Sequence, residues 1–567
     1  MNFWSTHYVR ISLIAACVVV SGTLRVLAQS RPIVRSTART EEILPEVAAI
    51  NQQIRGAWSV KQVVPSPPAT DGEFCRRVFL DVLGRIPTIQ EFRAFRRDGS
   101  SDRRHRLVNQ ILDDPKYLDR YADNWAGIWT NILIGRASQD EPNRMVSRDG
   151  LKIYLREAFL QNRCYIAIVH ELVAATGTTE PGTNGFNGAV NFLSGKLDDN
   201  AHLATAVTCR VFLGQQIQCT QCHNHPFNEW KQDRYWQMNS FFRQTVALRR
   251  YDDAGNMMRA VEIADQDFAG EDRPADPSSG RIYYELRNGK LEAATPVFVD
   301  GKSINPSGYV AESHRRKHLA EMIVESDDLP RAFVNRMWAH FLGHGFTKPF
   351  DDMGPHNRPS HAELLDYLSQ RFTQSGFDIK QLIRWITLSE PYSLSSRTNK
   401  QNASDDPALG EPPLYSHFYV RQMTPEQLFD SLLTATQAHR AKADPEQQET
   451  AKRRWLEQFI ITFGTDEGDE TTTFNGTIPQ TLMMFNGELI LDATSDGADG
   501  FLSRVANDVN KDDARKLDQL YLAALSRLPT RAERRWANEL LATGDTWSAL
   551  QDTWWAILNS NEFIFNH

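Results

Sequence analysis

The sequence predicts a mainly α-helical protein, with multi-helical N- and C-terminal parts separated by a small β-rich insert. Three observations carry this reading. Apolar residues recur at spacings of three, four and seven over long stretches, which lines them along one helix face. Several of these stretches open with Ser or Thr followed three residues later by Glu or Gln, the sequence form of a capping box. Between residues 247 and 310 the period shortens to two and hairpin-turn dipeptides appear.

Residues 1–28 read as a secretory signal peptide. Arg10 precedes the apolar run "ISLIAACVVV", and Val26 and Ala28 occupy the small-residue positions of a cleavage site. The run is too short to span a bilayer. Cys17 lies inside it, whereas a lipoprotein cysteine would end it, so cleavage is expected after Ala28. Residues 29–43 form a polar tether. Residues 44–246 are helical: "SDRRHRLVNQILDDPKYLDRYADNWAGIWTNIL" sets Leu107, Ile111, Leu118, Tyr121 and Trp125 on one face. Asp114-Pro115 divides that stretch into two helices, because proline lacks the N–H and clashes with the preceding turn.

In the insert, residues 247–310, Val261 and Ile263 alternate with charged residues, and Asn288-Gly289 and Asp300-Gly301 mark tight turns. "FAGEDRPADPSSG" is a loop. Helices return over residues 311–567. Ser360 with Glu363 and Thr424 with Gln427 read as capping boxes, the latter with Pro425 at the first helical position. "KLDQLYLAALSRL" puts Leu517, Leu520, Tyr521, Ala524, Leu525 and Leu528 on one stripe. One internal echo stands out. "VFLDVLGRIPTIQE" and "LYLAALSRLPTRAE" both read as a helix, a proline stop, and a second helix capped by Thr88 with Glu91 or by Thr530 with Glu533.

At 567 residues the chain is too long for one core. Its 41% hydrophobic and 24% charged content is that of a globular protein. A formal net charge of -8 without a basic run excludes nucleic acid and anionic membrane surfaces as expected partners. No transmembrane segment is expected after the signal peptide, so the protein is expected to be exported to the periplasm or beyond. Five cysteines remain after Cys17, an odd number and too sparse for a disulfide framework.

The densest chemistry is "QIQCTQCHNHPFNEW", residues 216–230. C-x-x-C-H is the attachment sequence of a c-type haem. Cys219 and Cys222 would add to the two porphyrin vinyl groups, and His223 would reach the iron as proximal ligand. Met238, in "DRYWQMNSFF", is the candidate sixth ligand, with Met257 and Met258 further on, against core packing for Met238 and a vacant or water-bound sixth position. The same loop supports a second reading, in which Cys219, Cys222 and either His223 or His225 hold zinc, iron or copper, with His202 or Cys209 as fourth ligand. A plain Cys219–Cys222 disulfide is the third.

A second cluster lies in "RAFVNRMWAHFLGHGFTKPFDDMGPHNRPSH". His340 and His344 have the i,i+4 spacing of one helix face. Phe341 stands where a zinc protease needs Glu, and Gly343 and Gly345 suggest that the helix ends. Asp351, Asp352, His356 and His361 complete a polar set, and His340, His344, Asp352 and His361 form the alternative metal candidates.

"FLDVLGRIPTIQEF", "CTQCHNHPFNEW" and "DRYWQMNSFF" resemble the planctomycete cytochrome c-like domain of unknown function. "ATPVFVDG", the "RAFVNRMWAHFLGHGF" stretch and the closing "AILNSNEFIFNH" resemble its C-terminal companion domain, also of unknown function. The resemblance, to secreted proteins of the PSCyt/PSD type, covers roughly Leu44 to His567. It implies haem at Cys219, Cys222 and His223. Many relatives carry a further N-terminal cytochrome domain, whereas this chain has one C-x-x-C-H. The leading expectation is an exported protein with one haem c, exchanging electrons with a redox partner. The alternatives are a secreted metal-dependent enzyme acting on an extracellular polymer such as a polysaccharide, and a scaffold without chemistry.

Overall fold

The computed structural model describes residues 43–567 apart from 137–144, 465–476 and positions 227, 253, 256, 443, 498 and 543. The expected signal peptide and residues 29–42 of the expected tether lie outside the described residues. The protein is mainly α-helical, and among the described residues the strands form three small sheets. Asp114-Pro115 divides helix Arg103–Asp113 from helix Pro115–Ile134 as expected. The break also resets the apolar phase: Tyr117 is buried in the second helix, and Leu118 only half-buried.

The described residues form two compact units: 125–339 with 344–383 and 43–46, and 47–124 with 340–343 and 384–567. The first unit has an aromatic centre. Phe333 lies 4.0 Å from Tyr165, 5.0 Å from Phe372 and 5.9 Å from Trp129 between ring centroids. Its sheet pairs β1 (Gly177–Thr178) with β3 (Met258–Asp265), and β3 with β2 (Thr245–Tyr251), all antiparallel. The alternation at Val261 and Ile263 is real, since both are buried. β4 (Ile282–Glu285) and β5 (Leu291–Ala294) form the hairpin turned by Asn288-Gly289, where Gly289 has φ +80°. The Asp300-Gly301 turn closes only a bridge between Val297 and Ser303. Two buried arginines lock the insert down. Arg316 pairs with Asp265 at 2.9 Å, and Arg315 donates to the carbonyls of Ser240 and Gly280 at 3.0 and 2.8 Å.

The second unit contains the internal echo as a repeat of three helices. Helices Asp71–Leu83 and Asp513–Leu525 are N-capped by Thr70 and Asp512 and end at residues in the left-handed region, Gly84 (φ 67°) and Ser526 (φ 53°). Next, Arg85 forks onto Glu91 with both bonds at 2.9 Å, and Arg527 forks onto Glu533 with both at 2.8 Å. Each guanidinium also covers an aromatic ring of the first helix, Phe79 at 5.4 Å and Tyr521 at 5.5 Å. Thr88 and Thr530 complete capping boxes on helices Ile89–Arg97 and Arg531–Leu541, and a third helix follows in each copy, Arg103–Asp113 and Thr546–Leu558. The copies pack on each other, with Arg76 donating to the Ala524 carbonyl at 2.6 Å. Replacing Thr88 or Thr530 by Ala should each cost about 1 kcal/mol, read as a lower urea midpoint at unchanged slope.

Two local expectations differ. The helix Ala362–Gln374 is N-capped by His361 without a side-chain cap, because the Ser360 hydroxyl is taken by His361 Nδ1 at 3.1 Å. Leu528 lies past the end of its helix at Leu525 and is exposed. The Thr424–Gln427 box with Pro425 is present.

Candidate functional site

The C-x-x-C-H loop belongs to the first unit. It follows a helix, Asp198–Thr208, whose last turn widens to a π-helical turn at Cys209–Leu213 and stops at Gly214 with φ 64°. A Cβ on Gly214 would meet Met353 Sδ at 3.0 Å and Ala332 Cβ at 3.2 Å, so space as well as φ selects glycine here. The loop then makes a 3-10 turn, Gln218–Gln221. Ile217 and Thr220 are buried beneath it, with Thr220 Oγ1 donating to the Ile217 carbonyl at 2.6 Å. Burying those two side chains turns Cys219 and Cys222 outward, and both are exposed thiols.

Helix Gln232–Asn239 holds the loop from the other side. Gln232 Nε2 and Trp236 Nε1 both donate to the Gln221 carbonyl at 3.1 Å. Trp236 stacks on Tyr284 at 5.6 Å, and Tyr235, fully buried, meets His202 Nδ1 at 3.0 Å. Burial holds His202 below the usual imidazole pKa range. Met238, on the same helix, is 1% exposed.

The two histidines of the loop are in different hydrogen-bonding states. His223 Nδ1 lies 2.7 Å from the Asn224 carbonyl, which only accepts, so Nδ1 carries the proton and Nε2 presents its lone pair. His225 Nδ1 instead accepts from the Asn228 N–H at 3.2 Å, which places the proton of the neutral ring on Nε2. In the neutral ring His223 therefore offers a lone pair at Nε2 and His225 a proton at Nε2. A ligand histidine held by a carbonyl on its far nitrogen is the usual outer-shell arrangement.

The structure brings part of the second cluster to this loop. Gln216 Nε2 donates to Asp351 Oδ1 at 2.9 Å, Arg210 lies 3.9 Å from the same carboxylate, and the Met353 N–H donates to the Gly214 carbonyl at 2.6 Å. Gln215 Nε2 donates to Asp328 at 2.7 Å, a carboxyl whose pKa burial pushes up to about 6. Next, His356 Nε2 donates to Asp352 Oδ2 at 2.9 Å, and the His356 ring centroid is 6.0 Å from that of His225. The remaining candidates have other partners. His340 is in the second unit, where its Nε2–H donates to the Asp81 carbonyl at 3.2 Å and burial lowers its pKa. His344 is buried, and His361 sits at its helix cap. Among the described residues no three His, Cys, Asp or Glu side chains form a group able to hold a metal ion. Arg210, Gln216, Asn224, Asn228 and Met353 had no sequence signal, because their roles come from contacts across the fold.

Residues 49–247 match the family model PSCyt2, a protein of unknown function (DUF1549), and residues 315–541 match PSD1, a protein of unknown function (DUF1553). The Cys219–His223 motif falls in the first match and the Asp351–His356 loop in the second. No curated protein and no solved structure matches the chain. The chain therefore belongs to the proteins that pair a PSCyt2 domain with a PSD1 domain, in that order from the N-terminus.

Proposed function

We propose that this protein is an exported one-electron carrier that binds a single c-type haem through Cys219 and Cys222, with His223 as proximal ligand. The observation that carries the reading is the state of the loop. Two exposed thiols flank a turn, and the adjacent imidazole offers Nε2 while its Nδ1–H is held by Asn224 at 2.7 Å. The donor set therefore fits the group chemically. Haem supplies a reversible one-electron iron couple, tuned by its axial ligands and its surroundings. The protein's own part is to hold the thiols outward over buried Ile217 and Thr220 and to orient His223. An exposed loop suits exchange with a protein redox partner in the periplasm or outside the cell.

Protein made in an exporting host with haem-maturation machinery should be red and should exceed its apo mass by one haem after denaturation. Cys219→Ala with Cys222→Ala should abolish that added mass, and His223→Ala should change the iron spectrum more than the attached mass. The Asp352–His356 pair beside His225 favours a second reading, a secreted enzyme dependent on zinc, iron or copper and acting on an extracellular polymer. A colourless wild-type protein with one equivalent of such a metal would replace the first reading with the second.

A further inference from the structure

We infer that helix Ile478–Asn486, in the second unit, is a self-docking surface, through which two copies of this protein pair about a two-fold axis beside Leu482. The inference goes beyond the haem reading and stands without it. Ile478, Leu482 and Phe485 are spaced by four and three residues, so they form one stripe of the helix. That stripe faces outward, at 77%, 55% and 39% exposure. The other side of the helix is anchored by Met484, which is buried. The nine residues, IPQTLMMFN, include no charged side chain. A helix on a protein surface ordinarily turns its apolar stripe to the core and its charges to water. Here the outward stripe is apolar. Absence of charge together with Met and aromatic residues is the composition of an interface core.

The apolar surface continues past this helix. Phe485 meets Trp555 at 5.2 Å between ring centroids, and the Trp555 indole N–H donates to the Phe485 carbonyl at 3.2 Å. Leu491, also exposed, is on helix Glu488–Thr494, which is tied to the helix of Trp555 by Gln551 Nε2 on the Thr494 carbonyl at 2.7 Å. These five side chains expose about 500 Å², near the top of the range for the largest apolar patch on a monomer. Doubled and extended by a polar rim, that area reaches the ~1,200–2,000 Å² of a stable interface. Two features select a second copy as the occupant. The stripe is nearly symmetric about Leu482. An antiparallel two-fold therefore sets Leu482 on the partner's Leu482, and Ile478 on the partner's Phe485. The rim carries both signs, Arg454 with Glu488 and Lys442 with Asp492 at 2.9 Å. A second copy can set cation against carboxylate there, whereas a partner of one sign meets like charge.

The test is sedimentation equilibrium of the full exported protein, with circular dichroism reporting the fold of each variant. Wild type should be a dimer at micromolar concentration. Leu482→Glu sets two carboxylates against each other at the axis and should weaken the dimer at least about a hundredfold with the helical spectrum unchanged. Leu482→Lys should do the same. An equimolar mixture of the Glu and Lys variants should recover a mixed dimer, because a two-fold at this residue puts the two new charges opposite each other. Leu248→Glu, at an exposed residue of β2 in the first unit, should stay dimeric. If Leu482→Glu does not fold, Leu482→Ser, which adds no charge, takes its place and should weaken the dimer about tenfold. A monomeric wild type overturns the inference. So does a dimer indifferent to the Leu482 substitutions, or a Glu–Lys mixture that stays monomeric.

Discussion

Asp81→Ala should lower the thermal midpoint of the second unit by about 10 °C, since a cost of about 3–5 kcal/mol translates at about 2–4 °C per kcal/mol in a unit of this size. Asp81 is 1% exposed and gathers three donors: Tyr392 Oη at 2.7 Å, Arg421 Nη2 at 2.8 Å and Asn566 Nδ2 at 2.7 Å. Its backbone carbonyl accepts from His340 as well. Arg421, itself buried, also donates to the carbonyls of His340 and Phe341. Removing the carboxylate leaves that guanidinium charge without its counter-ion inside the protein, which is the expensive part of the change. Asn566 lies in β7 (Phe565–Asn566), paired with β6 (Arg421–Gln422), so the same substitution should expose the C-terminus to limited proteolysis. Asp81→Asn keeps the volume and discards the charge, and it should lose most of the same stability. An Asp81→Asn protein as stable as wild type would show that packing, and not the charge pair, holds this network.

Lys196→Met should stabilise the first unit, most strongly at and below pH 7. Lys196 is 8% exposed, with Nζ on the Phe192 carbonyl and 5.1 Å from the Phe192 ring centroid. Burial lowers its pKa to about 7. In the unfolded chain a lysine titrates near 10.4. The folded state therefore binds its proton less well than the unfolded state does. Above pH ~10.4 the residue is neutral in both states and costs nothing through charge. As pH falls toward 7 the penalty grows, and below 7 it is constant, on the order of 5 kcal/mol at most. Methionine carries no charge to desolvate, so the wild-type and Lys196→Met stability curves should converge at high pH and separate downward to about pH 7. Parallel curves across that range would sink the argument. Just after it, the first turn of helix Asp198–Thr208 departs from helical geometry, with Asp199, Asn200 and Ala201 at positive φ, between 50° and 60°. Strain of that kind adds to the cost of this corner.

Local signals in the sequence carried far. The proline break at Pro115, the boxes at Thr88, Thr424 and Thr530, and the Asn288-Gly289 hairpin each depend on residues within six positions of one another. A backbone N–H at a helix start finds its cap among its own neighbours, so the pattern is written locally. The exception at Ser360 is itself local: a neighbouring histidine took the hydroxyl. The repeat was visible as an echo of the proline turn. That the copies share an arginine fork, a ring contact and a mutual interface needed the fold, because Arg76 and Ala524 are far apart in sequence.

The sequence by itself determined the helical class, the insert, the family pairing and the one segment dense in thiols and imidazoles. Only the tertiary structure decided that segment's hydrogen bonds and its neighbours. It assigned the lone pair to His223 Nε2 and the proton to His225 Nε2, through one carbonyl and one N–H set by the loop's path. It placed His340 in the Asp81 network and brought Asp351, Met353 and His356 to the cysteine loop. The physical reason is range. Helix periodicity and capping act over a few residues, whereas hydrogen-bonding state, burial and the approach of Met353 to Gly214 depend on groups more than a hundred residues apart, which meet only when the core closes.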